Sequence, residues 1–388
     1  MAQFGDFTVD RNSTKYVLGS GGTIISYATD EPAFEFNADG SYKGLLVEPA
    51  ATNYDTASSS LAGWSATRTT VSADQTTAPD GVAASADEVL ETATTGTHFI
   101  LEDYTLSAGS YIFSCFVKSI GGRNFNLLTE GLGGGGSGTL SVTFDLSTGT
   151  VSSGTGTITE IGDGWYRVSG PATTAGATGI RVLALSIDGT TTSFAGDVTK
   201  GFYMWGNQVE TGPIATSYIP TTTASVTRVK DDITLGSASS LIGQTEGTLY
   251  IEVDWQYATG TYQRLLSAND GTNNNRLLIY KDTGTPNELR MFAEADDDIK
   301  THQGVDSSGF SGIQKFAFAY KTDDFELYRN GSSISSDTSG SLAALGTLTN
   351  IDLGQSASAS EQANMWIRAV AIFTRRLSDT EAEALTTL

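Results

Sequence analysis

Two carboxylates that lie two positions apart are the first residues whose spacing could support chemistry. Glu252 and Asp254 occur in the segment 248–255, where apolar residues occupy the intervening positions. Side chains two residues apart in a β-strand project from the same face, so both carboxylates would share one sheet surface. Glycoside hydrolysis needs two carboxylates, about 5–5.5 Å apart for retention or about 6.5–9.5 Å for inversion. Because strands commonly carry a polar outer face, we expect a solvated surface here and no catalysis.

A run of acidic residues suggests a second kind of chemistry, which is metal binding. Asp296, Asp297 and Asp298 are consecutive and follow Glu294 closely. Calcium takes about six to eight oxygen ligands, and carboxylates often supply them. Three consecutive acids cannot all face one ion, so an exposed polar loop is the favoured interpretation. Asp296 and Asp298 are the calcium candidates that this pattern leaves, and no cofactor or other metal is expected.

Aromatic and amide side chains near each other in the sequence suggest a sugar-binding surface. Tyr257 and Tyr262 bracket the turn 258–261, and Asn273 and Asn275 follow it along the chain. The apolar faces of sugars stack on aromatic rings, while amides fix the orientation of sugar hydroxyls. These four residues are the predicted glycan contacts. Packing of either tyrosine in a core is an equally good interpretation.

The charge balance of the chain excludes several classes of partner. Its 388 residues include 44 acidic and 22 basic side chains, which gives a formal net charge of −22. Nucleic-acid binding needs clustered lysine and arginine, so no nucleic-acid partner is expected. No apolar run approaches the roughly 20 residues of a membrane span, so no membrane insertion is expected. One cysteine and two distant histidines exclude a disulfide framework and a histidine-rich metal site.

Alternating apolar and polar residues predict strands along most of the chain, so the expected fold class is all-β. The segment 111–118 is apolar on both faces, which indicates a central strand. Asn330-Gly331 is a strong hairpin signal. Ser378, with Glu381 three residues later, predicts the start of one short helix at the C-terminus.

These patterns divide the chain into three parts. We predict an N-terminal attachment or collar segment over residues 1–56 and two β-sandwich domains over residues 57–229 and 230–388. Inclusion of residues 1–56 in the next domain is an equally good alternative. The start of the chain lacks the basic and apolar stretches of a secretion signal. We therefore expect the protein to reach the outside of a cell by another route, such as release inside a particle.

An ordered set of short segments runs through residues 44–232. In chain order they are 44–53 (GLLVEPAATN), Trp64, 78–81 (APDG), 111–118 (YIFSCFVK), 164–168 (GWYRV), 201–213 (GFYMWGNQVETGP), 216–220 (TSYIP) and Arg228. As a set they resemble a family of tailed-bacteriophage virion proteins, of the head-spike or tail-fibre type with lectin-like sandwiches. The resemblance implies a carbohydrate-binding-module-like jelly roll on the outside of a virion.

The C-terminal part carries a second set of matching segments. They are 327–331 (LYRNG), 367–373 (IRAVAIF) and 376–379 (RLSD), which leads into the last helix. These segments resemble the concanavalin A and laminin-G-like sandwiches, and they imply a fold rather than a ligand. Because the sequence shows no pattern of an extended tail-docking domain or of a coiled-coil or β-helix shaft, we expect the chain to differ from long tail fibres. Capsid, tail tube and adaptor therefore all remain open as the attachment point.

The resemblance implies a non-enzymatic virion structural protein, a tail fibre or head spike, on the exterior surface of a bacteriophage. We expect it to mediate adhesion to host-surface glycans. Its expected partners are other virion proteins of the capsid, tail or adaptor, host glycans, and further copies of itself in a homotrimer. Two alternatives remain: a capsid decoration or tail-junction protein without a ligand, and a glycan depolymerase that acts through Glu252 and Asp254.

Overall fold

The computed structural model of the chain describes residues 6–132, 139–174, 178–255, 262–283, 288–307, 310–357 and 362–388. Strands make up almost all of the regular structure in these ranges, and the one described α-helix is Asp379–Thr386. The predicted all-β fold class is therefore confirmed.

The first sandwich consists of two antiparallel sheets that face each other. One sheet contains, in order across it, Thr150–Ser153, Leu140–Asp145, Asn124–Leu132, Gly179–Ile187, Thr95–Thr105 and Ser193–Ala195, with Ser65–Thr67 also paired to Thr95–Thr105. The other contains Thr157–Gly162, Trp165–Thr173, Ser110–Ile120, Gly201–Thr211, Ala86–Glu91 and Thr69–Thr76. Apolar residues of both sheets, such as Phe113 and Phe125, form the core between them.

The second sandwich has two seven-stranded sheets. The first contains, in order, Thr8–Asp10, Asp232–Leu235, Asn350–Leu353, Gln263–Asn269, Arg276–Lys281, Glu288–Ala295 and Asp298–Asp306. The second contains Ser332–Asp337, Phe325–Arg329, Gly312–Lys321, Glu246–Trp255, Met365–Phe373, Tyr42–Val47 and Phe34–Phe36. Leu249 and Phe316 of one sheet meet Leu277 and Met291 of the other in a shared core.

The N-terminal residues are built into the second sandwich. The strand Thr8–Asp10 pairs with Asp232–Leu235, and Tyr42–Val47 pairs with Met365–Phe373. Two small sheets complete this region; they pair Lys15–Leu18 with Ile24–Tyr27 and Ala51–Asn53 with Val226–Arg228. A role of residues 1–56 in attachment stays a prediction, as does the three-part division of the chain.

The predicted central strand lies where its pattern indicated. Ser110–Ile120 is paired on both sides, with Trp165–Thr173 and Gly201–Thr211. Phe113 faces the sandwich core, whereas Phe116 packs in a second cluster that includes Leu18 of the N-terminal region. Because both faces of the strand are covered, apolar residues occupy both sets of alternating positions.

Five charged side chains meet in the interior where the N-terminal region joins the two sandwiches. They are Arg11, Lys15, Glu48, Arg228 and Asp231, and none is more than 2% exposed. The Lys15 ammonium lies 2.6 Å from Asp231 Oδ2 and 3.0 Å from Glu48 Oε2, while Arg11 Nη1 lies 3.0 Å from Asp231 Oδ1. Buried ions are tolerated when each has a partner, and here each one does.

Glu48 is the most heavily contacted carboxylate of this buried charge network. It accepts hydrogen bonds from the backbone amide and the hydroxyl of Ser217, each at 2.7 Å. Burial by itself would raise the pKa of Glu48, but Arg228, Lys15 and the Ser217 hydrogen bonds outweigh burial and lower the pKa to about 2. The network therefore holds Glu48 in its ionised form and connects segments that are far apart in the sequence.

Both local signals near the C-terminus are confirmed. Asn330 and Gly331 have φ values of 48° and 87°, which a type I′ hairpin turn requires at both central positions. Ser378 caps the helix: its hydroxyl accepts from the Glu381 amide, and its own amide donates to Glu381 Oε2 at 3.0 Å. In the described part of the chain, no helix is long and apolar enough to cross a bilayer.

Candidate functional site

The structure separates the residues that were predicted as one sugar-binding surface. Tyr257 lies outside the described residues, while Tyr262 precedes the strand Gln263–Asn269 and is 41% exposed. Asn273 and Asn275 follow the other end of that strand. At roughly 3.3 Å per residue, the two ends lie about 20 Å apart. One sugar unit therefore cannot contact Tyr262 and the asparagines together.

The two asparagines make hydrogen bonds within their own loop and to two neighbouring loops. Asn275 Oδ1 accepts from the backbone amides of Asp296 and Gly346, at 3.0 and 2.8 Å. Asn273 Oδ1 accepts from Arg276 Nη1 at 2.9 Å. These bonds connect three loops at one end of the sandwich. A glycan contact by either asparagine stays a prediction.

The predicted calcium residues belong to a tight turn between two strands. Asp296 and Asp297 have positive φ values of 52° and 60°, which suit the turn between Glu288–Ala295 and Asp298–Asp306. The Asp298 carboxylate lies 2.6 Å from the Lys300 ammonium. Across the described ranges, no group of three or more histidine, cysteine, aspartate or glutamate side chains could hold a metal ion. Calcium binding at Asp296 and Asp298 stays a prediction.

The carboxylate of Glu252 takes part in ion pairs across three strands. Glu252 Oε1 accepts from Arg368 Nε at 3.0 Å, and the Lys315 ammonium lies 3.9 Å from Oε2. Arg368 and Lys315 belong to the two strands that flank Glu246–Trp255. Two cations already balance this charge, which favours a structural role on a polar sheet face.

A concave cleft in the first sandwich brings acidic and aromatic side chains together. Its volume is about 380 Å³, and it lies between the segment after Ala51–Asn53 and the end of the strand Thr95–Thr105. Its aromatic residues are Tyr54, Trp64 and Tyr104, and its acidic residues are Asp55, Glu102 and Asp103. We call this feature the acidic cleft. Its volume falls within the range of small-ligand sites, and its lining is more polar than is usual for them.

Two of the aromatic rings are anchored on the opposite sheet. Tyr54 packs edge-on against Tyr111, with ring centroids 6.0 Å apart, and Trp64 packs edge-on against Phe113 at 6.4 Å. Tyr111 and Phe113 both belong to the central strand Ser110–Ile120. Anchored rings lose little further freedom on binding, so the partly exposed ring of Tyr54 is suited to act as a stacking surface, whereas Trp64 is 9% exposed and belongs to the core.

Glu102 occupies a position where an apolar residue would be expected. Ile100 and Tyr104, two residues to either side, are both buried in the core, so the strand period turns Glu102 the same way. The side chain is partly buried. Within the described part of the chain, its carboxylate has no hydrogen-bond or ion-pair partner. An unpaired carboxylate on the inward row of a strand is unusual, because such positions normally stabilise the core.

Burial and neighbouring negative charge change the acidity of two carboxylates in the acidic cleft. Burial raises the pKa of Glu102, and the charges of Asp55 and Asp103 raise it further. Burial also raises the pKa of Asp55, although the Tyr104 hydroxyl donates a hydrogen bond to its Oδ2 at 2.7 Å. Carboxylates with raised pKa values in a cleft are more frequent at functional sites than elsewhere.

Asp103 differs from the other two carboxylates because it has a cationic partner. Arg181 Nε and Nη2 donate to the two oxygens of Asp103, at 2.7 and 2.8 Å. These hydrogen bonds lower the pKa of Asp103. No lysine, arginine or histidine lines the cleft as it is described. The described lining therefore offers no cation to Asp55 or Glu102.

The predictions from sequence missed this cleft. Asp55 and Glu102 are far apart in the sequence, and no short motif links them. One signal was available: Ile100, Glu102 and Tyr104 alternate along one strand, which places a carboxylate in an otherwise apolar row.

Comparisons with known proteins give similarities to parts of solved structures. No model of a protein family matches the sequence, and no curated protein matches it. The CBM40 of the Ruminococcus gnavus IT-sialidase is similar with 18% identity and a TM-score of 0.33, over 38% of this chain and 86% of that one. The NanB sialidase from Streptococcus pneumoniae is similar with 16% identity and a TM-score of 0.33, over 40% of this chain and 26% of that one. The receptor binding domain of botulinum neurotoxin C/D mosaic serotype is similar with 12% identity and a TM-score of 0.33, over 40% of each chain.

Proposed function

We propose that the protein is a non-enzymatic structural protein of a tailed-bacteriophage virion, a head spike or tail fibre, that adheres to host-surface glycans. The observation that carries the adhesive role is the acidic cleft, in which anchored aromatic rings and a few polar groups surround a concave space. The resemblance of the segments within residues 44–232 to phage virion proteins supports a place on the exterior surface of the particle. The other virion proteins and the host glycans are its proposed partners.

Adhesion through such a cleft gains strength from several copies. A single sugar site binds weakly, but linked sites raise the effective concentration for each following contact. We therefore propose a homotrimer, which closed cyclic symmetry would produce. The ion pairs of Glu252 with Arg368 and Lys315 support a role without catalysis for the second sandwich.

Binding of the purified full chain to host cells and to a glycan array tests this proposal. The native protein should bind, and Tyr54→Ala should bind roughly fivefold more weakly, because an anchored aromatic contact contributes about 1 kcal/mol. Tyr262→Ala is the matched control, since Tyr262 is an exposed tyrosine of the second sandwich. Loss of binding in Tyr262→Ala alone would place the glycan site at the sequence-predicted position instead.

Particles that lack the protein provide a second test. They should adsorb poorly to the host while staying intact. Normal adsorption together with weakened particles would contradict adhesion and indicate capsid decoration. Release of soluble sugar by the native protein, and its loss in Glu252→Gln, would instead indicate a depolymerase.

A further inference from the structure

We infer that the acidic cleft selects glycans that carry a free amino group, and that Glu102 is the residue that determines this selectivity. The inference rests on the proposed function, because it names the class of sugar that the proposed glycan site accepts.

The charges of the residues that line the acidic cleft favour a ligand with an amino group. Asp103 is balanced by Arg181, whereas among the described residues Asp55 receives neutral hydrogen bonds alone, from the Tyr104 hydroxyl and the Ala57 amide at 2.7 Å each. Glu102 has no partner within the described ranges, and no basic side chain lines the cleft as described. A ligand that brings a positive charge would supply the missing partner.

The surroundings of Glu102 favour an ammonium group over other sugar substituents. An ammonium donates charge-assisted hydrogen bonds to a carboxylate, and it is also attracted to the faces of aromatic rings such as the partly exposed Tyr54. An N-acetyl group or a hydroxyl brings no charge, and a sugar carboxylate or sulfate is repelled by Asp55 and Glu102. The expected order of affinity is therefore amino sugar, then neutral sugar, then acidic sugar.

The remaining lining residues favour a sugar over a lysine side chain of another protein, which also ends in an ammonium. Besides the two tyrosines, four serine and threonine hydroxyl groups line the acidic cleft, on Thr56, Ser60, Thr105 and Ser225. Hydroxyl side chains donate and accept hydrogen bonds, as sugar hydroxyls do. A sugar can exchange hydrogen bonds with several of these groups, whereas the aliphatic part of a lysine cannot.

Titration of the purified full chain with three oligosaccharides of equal length tests the inference. The probes are a glucosamine oligomer, its N-acetylated counterpart and an oligogalacturonate, slightly below neutral pH so that the amine is protonated. The native protein should bind the glucosamine oligomer about tenfold more tightly than the N-acetylated one, as expected for one charge-assisted contact. Added salt should weaken only the binding of the glucosamine oligomer. Oligogalacturonate should not bind.

Glu102→Gln should bring the two affinities within about twofold by lowering only the affinity for glucosamine oligomers, because the amide keeps the shape and removes the charge. Glu130→Gln is the matched control: Glu130 lies opposite Arg181 in the register of the neighbouring strand and does not line the cleft. It should keep the preference. If Glu102→Gln does not fold, as judged by its thermal unfolding, the order of affinities and the salt dependence of the native protein decide the question.

Three outcomes would overturn the inference, and they separate it from the proposed function. In the first, the glucosamine oligomer and its N-acetylated counterpart bind with equal affinity, and Tyr54→Ala weakens the binding of both. That result would leave glycan adhesion in place and remove the selectivity. Binding of a lysine-containing peptide as tight as that of the glucosamine oligomer would remove the assignment to a sugar. No binding of any oligosaccharide, and none on a glycan array, would remove both.

Discussion

Two glutamates whose side chains point inward from the surface have opposite environments, one fully buried and one partly buried. Glu48 lies in the buried charge network, where Arg228 and Lys15 outweigh burial and lower its pKa to about 2. Glu102 lies in the acidic cleft, where burial and the charges of Asp55 and Asp103 all raise its pKa. The first carboxylate is fully paired, and the second has no partner in the described part of the chain.

The difference between the two glutamates teaches how to distinguish a structural charge from a functional one. A buried charge that stabilises a fold has its partners inside the fold, because an unpaired ion in the interior is costly. A carboxylate left unpaired beside an open cleft keeps its hydrogen-bonding capacity for a ligand. The two positions therefore predict opposite effects of the same Glu→Gln substitution on stability.

Glu48→Gln has the largest expected effect. It leaves Arg11, Lys15 and Arg228 facing the single carboxylate of Asp231, so the buried network gains uncompensated positive charge. Breaking a buried ion pair in this way typically costs about 3–5 kcal/mol of the free energy of unfolding. Urea denaturation of the native and variant proteins at neutral pH measures the loss.

The matched control for this prediction is a surface pair. Lys118 and Asp163 lie 3.0 Å apart, and the Asp163 side chain is 83% exposed. Asp163→Asn should change the free energy of unfolding by less than about 1 kcal/mol. An equally small loss in Glu48→Gln would show that the buried network does not stabilise the fold.

The stability of the protein should also fall at acid pH because of Glu48. The pKa of Glu48 is lowered from 4.5 to about 2 in the folded state. Ionised Glu48 therefore contributes its full stabilisation when the pH is above the pKa of the unfolded state, and this stabilisation is lost as the pH falls through the pKa of the folded state. A shift of this size corresponds to about 3 kcal/mol between neutral pH and pH 2. Urea denaturation of the native protein from pH 5 to pH 2 should show this loss, and Glu48→Gln should show less of it. Parallel pH profiles for the two proteins would contradict this assignment.

Sequence patterns predicted the local parts of this fold and missed the long-range ones. Alternation predicted the central strand Ser110–Ile120. Asn330-Gly331 predicted a turn, and Ser378 predicted the start of a helix. Each of these signals depends on a few adjacent residues. The pairing of Thr8–Asp10 with Asp232–Leu235 left no comparable signal. Strand pairing over such a separation depends on the whole core and not on any one segment.

The same limit applied to the candidate site. Tyr262, Asn273 and Asn275 were grouped because they are close in sequence, but a strand of seven residues separates them in space. Asp55 and Glu102 are distant in sequence, and the sandwich brings them to one cleft. From sequence alone, Glu102 could have drawn attention because it places a carboxylate between Ile100 and Tyr104, at a position where the alternation of the strand predicts an apolar residue.

Glu102→Gln should change the free energy of unfolding less than Glu48→Gln or acid pH does, and it should raise this free energy instead of lowering it. The pKa of Glu102 is raised in the folded state, so ionisation of Glu102 lowers the stability of the fold once the pH rises above the pKa of the unfolded state. The uncharged amide of the glutamine variant should therefore stabilise the fold at neutral pH. We expect a gain of less than about 1 kcal/mol in the free energy of unfolding, because Glu102 is only partly buried and solvent screens its charge. The gain should disappear at pH 3, where the native carboxyl is protonated too. A loss of stability at neutral pH would show that Glu102 supports the fold, which would remove the contrast with Glu48.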